Sequence, residues 1–163
     1  MKKLLVLRHA KSSWDDDSLS DFERPLNDRG QRTALFMGKF IADNGLTPEV
    51  IVSSPAARAR ATTELVAEAM EYSGDAIFDP KIYEASANAL VGVVSQIDEE
   101  YMTALLIGHN PGLEGLVYYL TDVFEPLQTA ALAVIELDIE NWGDVDSRTG
   151  KLSAIYRPRD LMK

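Results

Sequence analysis

Short apolar runs that alternate with amphipathic segments predict an α/β fold built on a central, mostly parallel sheet. Two further observations support this. Ser54-Pro55 and Asn110-Pro111 each follow an apolar run closely, and a polar cap followed by proline is the chemistry that starts a helix. With 163 residues, 46% of them hydrophobic, the chain is long enough for one three-layer α/β/α domain over residues 1–163 and too short for two.

The elements follow in order. Lys3 to Arg8 is an apolar strand, and the stretch after it, with Trp14, Asp15, Asp16, Asp17, Asp21 and Glu23, is too polar for anything but a loop. Asn27 or Asp28 opens a helix that runs to about Asn44, where Gly45 stops it. Val50 to Val52 is the second strand; Ser54 as N-cap and Pro55 as first helical residue begin a helix that reaches about Tyr72. Ile77 and Phe78 form a short strand, and Ala87 to Ile97 a helix. Ala104 to Ile107 is a buried strand, and the cap-and-proline pair at Asn110 and Pro111 starts a helix that ends near Thr121. Ala131 to Leu137 and Leu152 to Tyr156, joined by a loop from Trp142 to Gly150, read as a C-terminal edge hairpin.

Composition narrows the function. A formal charge of -10 disfavours nucleic acid and anionic membrane as partners, so an anionic ligand must be met by a local cluster of arginines. Arg8 and His9 cut the first apolar stretch far short of a signal-peptide core or a membrane span, and no cysteine is present, which fits a reducing compartment; the cytoplasm is the expected location. Asp15 to Asp17 read as a solvated run rather than a metal site, and no metal or cofactor is expected.

The polar residues fall at three strand-to-helix junctions: Arg8 with His9, Ser53 and Ser54 with Arg58, and Gly108 with His109. In an open parallel sheet these junctions line the carboxyl edge, where ligands bind. Arg58 sits on the first turn of its helix with Thr62 on the same face, and both helix starts turn free backbone N–H groups toward that edge. Two arginines and the chain's two histidines therefore surround a space suited to a phosphoryl group. Arg60 is expected to pair with Glu64 or another surface carboxylate, and Trp14 belongs either to the core or to the pocket entrance.

Leu-Arg-His-Ala at 7–10, Arg-Pro-Leu-Asn-Asp-Arg-Gly at 24–30, Ser-Ser-Pro-Ala-Ala-Arg-Ala-Arg-Ala-Thr at 53–62 and Gly-His-Asn-Pro-Gly at 108–112 resemble the histidine phosphatase (phosphoglycerate mutase-like) superfamily. The small size and the Arg-His-Ala-Lys-Ser-Ser-Trp start look most like its SixA-type phosphohistidine phosphatases. The resemblance implies that His9 is the nucleophile of a metal-independent phosphatase and that Arg8, Arg58 and His109, with Asn110, bind the phosphoryl oxygens. Glu84 falls roughly where larger members carry the acid that protonates the leaving group. Ala10 and Lys11 depart from the mutase pattern, and Asp15 stands near the place of a phosphate-contacting asparagine, so it is expected to face solvent or pair with Lys11 or Arg24. Little room remains between Tyr83 and Ala104 for a lid, which leaves the pocket open to a protein-borne phosphate. Two alternatives stay open: a small-molecule phosphomonoesterase using Glu84 as acid, and a noncatalytic phosphate-binding module.

Overall fold

The computed structural model describes all 163 residues. Six strands form one sheet in the order β3-β2-β4-β1-β5-β6: β1 (Lys2–Arg8), β2 (Val50–Ser53), β3 (Asp75–Phe78), β4 (Thr103–Gly108), β5 (Leu132–Leu137) and β6 (Gly150–Tyr156). The first four are parallel, and β5 and β6 join antiparallel at one side, so the sheet is mixed and the hairpin forms its edge. Four helices cover the two faces: α1 (Asp28–Asp43) and α2 (Ala57–Met70) on one, α3 (Ala87–Ser95) and α4 (Gly112–Thr121) on the other.

The period of two in a strand explains the layering. Leu5 and Leu7 of β1 face α1 and α2 together with Ile51, Leu105 and Ile107. Leu4 and Val6 point the other way, onto Leu90, Leu113, Leu116 and Val117. Leu4 to Leu7 are all 0% exposed, and burial of side chains of this size contributes roughly 1.5–3 kcal/mol each, so β1 is the spine of both cores.

Helix starts differ from the sequence expectation in an instructive way. Asn27 caps α1 as expected, accepting from the Gly30 N–H at 2.8 Å, and Gly45 takes the left-handed conformation after its end with φ 68°. The other two expected caps are not caps. α2 begins only at Ala57, because the Ser54 hydroxyl accepts from Ala56 and faces His109 instead. α4 begins at Gly112, because the Asn110 amide donates to the Leu127 carbonyl at 2.7 Å rather than folding back on its own helix. At Asn110 a tertiary partner takes the side chain from the local backbone, whereas the Ser54 hydroxyl keeps a local bond to the Ala56 N–H and meets His109 as well. Two further differences are a 3₁₀ turn at Asp21–Glu23 inside the acidic loop and a terminal helix, α5 (Pro158–Leu161).

Candidate active site

β1 and β4 are adjacent and in register, with Arg8 opposite Gly108, so the next residue of each strand leaves the sheet at the same level. Those residues are His9 and His109, and their ring centroids lie 5.1 Å apart. Ser53 is opposite Ile107 on the other side of β4, which brings Ser54 and the first turn of α2 to the same edge. Register alone thus assembles the group. Arg8, His9, Arg58, His109 and Asn110 line one cavity of about 320 Å³.

His9 is 6% exposed, and its Nδ1 lies 2.8 Å from the Ala10 carbonyl. A carbonyl only accepts, so Nδ1 carries the hydrogen and Nε2 keeps its lone pair. The Arg58 Nε–H points at that Nε2 from 3.4 Å. Burial pulls the His9 pKa down to about 3, the bond to Ala10 resists, and His109, Arg58 and Arg8 lower it further. The Ala10 N–H in turn donates to Thr62 Oγ1 at 3.0 Å, which anchors the residue whose carbonyl holds the ring.

His109 Nε2 meets the Ser54 hydroxyl at 2.7 Å. Ser54 is fully buried and its hydroxyl hydrogen has no other acceptor, so it donates to Nε2 while the oxygen accepts from Ala56, and His109 is then the Nδ1–H tautomer. That Nδ1 has no protein partner, and neither do Arg8 Nε and Asn110 Oδ1. Burial, then Arg58, lowers His109 to about 4, against the pull of Asp21. Both rings are therefore neutral near pH 7.

The Leu127 carbonyl accepts from Arg8 Nη1 at 3.1 Å and from Asn110, while the Leu127 N–H donates to Glu114 Oε2 at 2.7 Å. Burial lowers Arg8 from its usual guanidinium value, and Glu114 opposes that shift.

Asp21, which the sequence left in a loop, lines the same cavity. Arg58 donates Nη1 to its carbonyl at 2.7 Å and Nη2 to its carboxylate at 3.1 Å, Arg24 Nη1 donates to the other oxygen at 3.0 Å, and the Tyr83 hydroxyl donates at 2.6 Å. The Tyr83 hydrogen bond above all, with the two arginines, holds Asp21 at about 2. Tyr83 also packs edge-on against His109. One local signal was readable: Ser20 followed three residues later by Glu23 is a capping box, and the Glu23 carboxylate accepts from the Ser20 N–H and hydroxyl to close the turn that presents Asp21.

The remaining expectations resolve plainly. Trp14 is at the entrance, 73% exposed, with Arg24 stacked on its ring. Asp15 faces solvent and Arg24 takes Asp21 instead. Arg60 lies over the Phe78 ring, 3.8 Å from its centroid, and forms no ion pair with Glu64. Glu84 is exposed and lies outside the lining of the cavity. No helix is long and apolar enough to cross a membrane.

Known proteins share this arrangement of chain. A putative phosphohistidine phosphatase SixA from Agrobacterium tumefaciens superposes with a TM-score of 0.82 at 26% identity, covering 96% of this chain and 98% of that one. The protein histidine phosphatase SixA complexed with tungstate has the same fold, with a TM-score of 0.85 at 23% identity over 98% of this chain and 99% of that chain. An uncharacterised chloroplastic protein of Arabidopsis thaliana is 28% identical over 170 residues, 96% of this chain and 78% of its own length. Residues 4–112, which carry Arg8, His9, Arg58 and His109, match the histidine phosphatase superfamily (branch 1), and the chain belongs to that superfamily.

Proposed function

We propose that the protein is a phosphatase that removes phosphoryl groups from phosphohistidine through a covalent intermediate on His9. The observation that carries this reading is the lone pair of His9 Nε2, held unprotonated inside a cavity lined by Arg8 and Arg58. Nε2 attacks phosphorus, a new N–P bond forms, and the N–P bond to the substrate imidazole breaks, its electron pair taking a proton from solvent. Water then cleaves the enzyme's N–P bond, returning neutral His9 and releasing inorganic phosphate. Arg8, Arg58 and the His109 Nδ1–H bind the equatorial oxygens, and Asn110 orients Arg8 through the Leu127 carbonyl they share.

One point favours a phosphoramidate over an alkyl phosphate. Imidazole is a good leaving group, whereas an alkoxide needs an acid, and Glu84 is outside the cavity. A related fold binds tungstate, a tetrahedral oxyanion like phosphate, which supports a phosphoryl-binding pocket for either substrate class. The experiment is a quench of enzyme turning over a labelled phosphohistidine peptide. Wild type carries acid-labile, base-stable label; His9→Ala carries none, and Glu84→Gln leaves the rate within about twofold. Turnover with no label on an imidazole at any time would replace covalent catalysis by direct attack of water. A loss of about a hundredfold in Glu84→Gln confined to alkyl esters would favour the phosphomonoesterase instead.

A further inference from the structure

A second cavity, about 270 Å³, adjoins the one that holds His9. Lys11 and Thr129 line both, so the two are neighbours across a shared wall. Its other walls include Arg29, Gln128, Arg157 and Arg159, and no carboxylate lines it. Four cations facing one hollow is not what a chain of net charge -10 produces on an average surface.

Most of this charge is uncommitted. Arg157 donates to Glu125 at 3.0 Å and to Gln128 at 3.0 Å, but Lys11, Arg29 and Arg159 are exposed and form no salt bridge. The acidic chain neighbours Asp28 and Asp160 stay out of the lining. The walls are also fixed relative to His9. Arg29 stands on the first turn of α1, which abuts the segment after β1: the Asn27 N–H donates to the Lys11 carbonyl at 3.0 Å, and Gly30 touches the same carbonyl. Arg157 and Arg159 come from the junction of β6 with α5.

We infer that this cavity binds a second anionic group of the substrate while the phosphoryl group sits at His9; the inference rests on the phosphatase reading above. The chemistry required is a carboxylate or phosphate a short span from the scissile bond. Acidic side chains flanking a phosphohistidine supply it, and so does the second phosphate of a small bisphosphate.

The test compares para-nitrophenyl phosphate, a phosphohistidine peptide flanked by Asp and Glu, the same peptide flanked by Gln, and a hexose bisphosphate beside its monophosphate. Wild type is expected to prefer the acidic peptide or the bisphosphate about tenfold, through KM. The double variant Arg29→Gln, Arg159→Gln abolishes that preference and keeps kcat/KM for para-nitrophenyl phosphate within about twofold, while Arg29→Lys, Arg159→Lys restores it and guards against a folding effect. Preference confined to the peptide pair identifies a protein substrate, and preference confined to the bisphosphate a small one. No preference in wild type, or a preference that survives the double Gln variant, overturns the inference. Calorimetric binding of the same ligands to His9→Ala, with and without the two Gln substitutions, reads the subsite without turnover. If wild type hydrolyses nothing yet binding shows the charge preference, the phosphatase reading falls and the anion subsite stands.

Discussion

The environment of His9 opposes protonation of its ring, as the proposed nucleophile requires, and the same environment ties folding to pH. The ring is held near 3 and His109 near 4, whereas an exposed histidine titrates at about 6.5. On acidification the unfolded chain therefore binds protons first, so the contribution of these two rings is complete above about pH 6.5 and is lost as the pH falls toward 4 and 3. Asp21, held at about 2, acts in the same direction at lower pH: its contribution is present above the usual carboxylate value and is lost as the pH falls through 2. Urea midpoints are expected to drop between about pH 7 and pH 5, and the double variant His9→Asn, His109→Asn to flatten that slope. A slope unchanged in the double variant would mean that the rings are exposed.

On the proposed function, Asp21 sets the charge that an incoming phosphoryl group meets. Its carboxylate shares Arg58 Nη2 and Arg24 Nη1, so an anion at Arg58 competes with it. In Asp21→Asn the competing charge is gone, and inhibition by inorganic phosphate is expected to tighten by about three- to tenfold, with a shallower fall at high salt than a bare surface contact shows. Weaker inhibition would instead make Asp21 the residue that positions Arg58 for the ligand.

Between elements, close backbone approaches set the position of the site. A Cβ on Gly30 would stand 2.1 Å from the Lys11 carbonyl oxygen, closer than any relaxed contact, and the obstacle is backbone that cannot swing aside. Gly30→Ala is expected to cost about 1–3 kcal/mol or more of stability and to reduce kcat by displacing the chain that follows His9, measured by urea unfolding and steady-state rates. An alanine of full activity would show that α1 can slide without moving the site.

The whole molecule is held by one sheet with both faces covered. Because alternate residues of β1 and β4 enter opposite cores, neither helical layer can be lost without exposing strands that the other layer needs. Trp142, fully buried among the residues packed on α3 and α4, and the exposed Trp14 report from different parts of the fold. Unfolding followed by circular dichroism and by the fluorescence of Trp142 in a Trp14→Phe background is expected to give coincident transitions. Separate midpoints would mean that one layer melts on its own.

Much of this was legible from residue order. Apolar period and punctuation by Gly and Pro located every strand and the four long helices, because those signals are local and the inner strands β1, β2, β4 and β5 are buried on both faces. The motifs at 7–10, 53–62 and 108–112 marked Arg8, His9, Arg58 and His109, because the register of parallel strands turns equal positions after each strand into neighbours. Tertiary contact alone decided the rest: Asn110 gave up helix capping for Leu127, Ser54 met His109 while keeping only a short turn to Ala56, and Asp21 reached Arg58 across 37 residues. A hydrogen bond between distant residues leaves no mark on local sequence, since its worth depends on burial and on a partner that only the folded chain supplies.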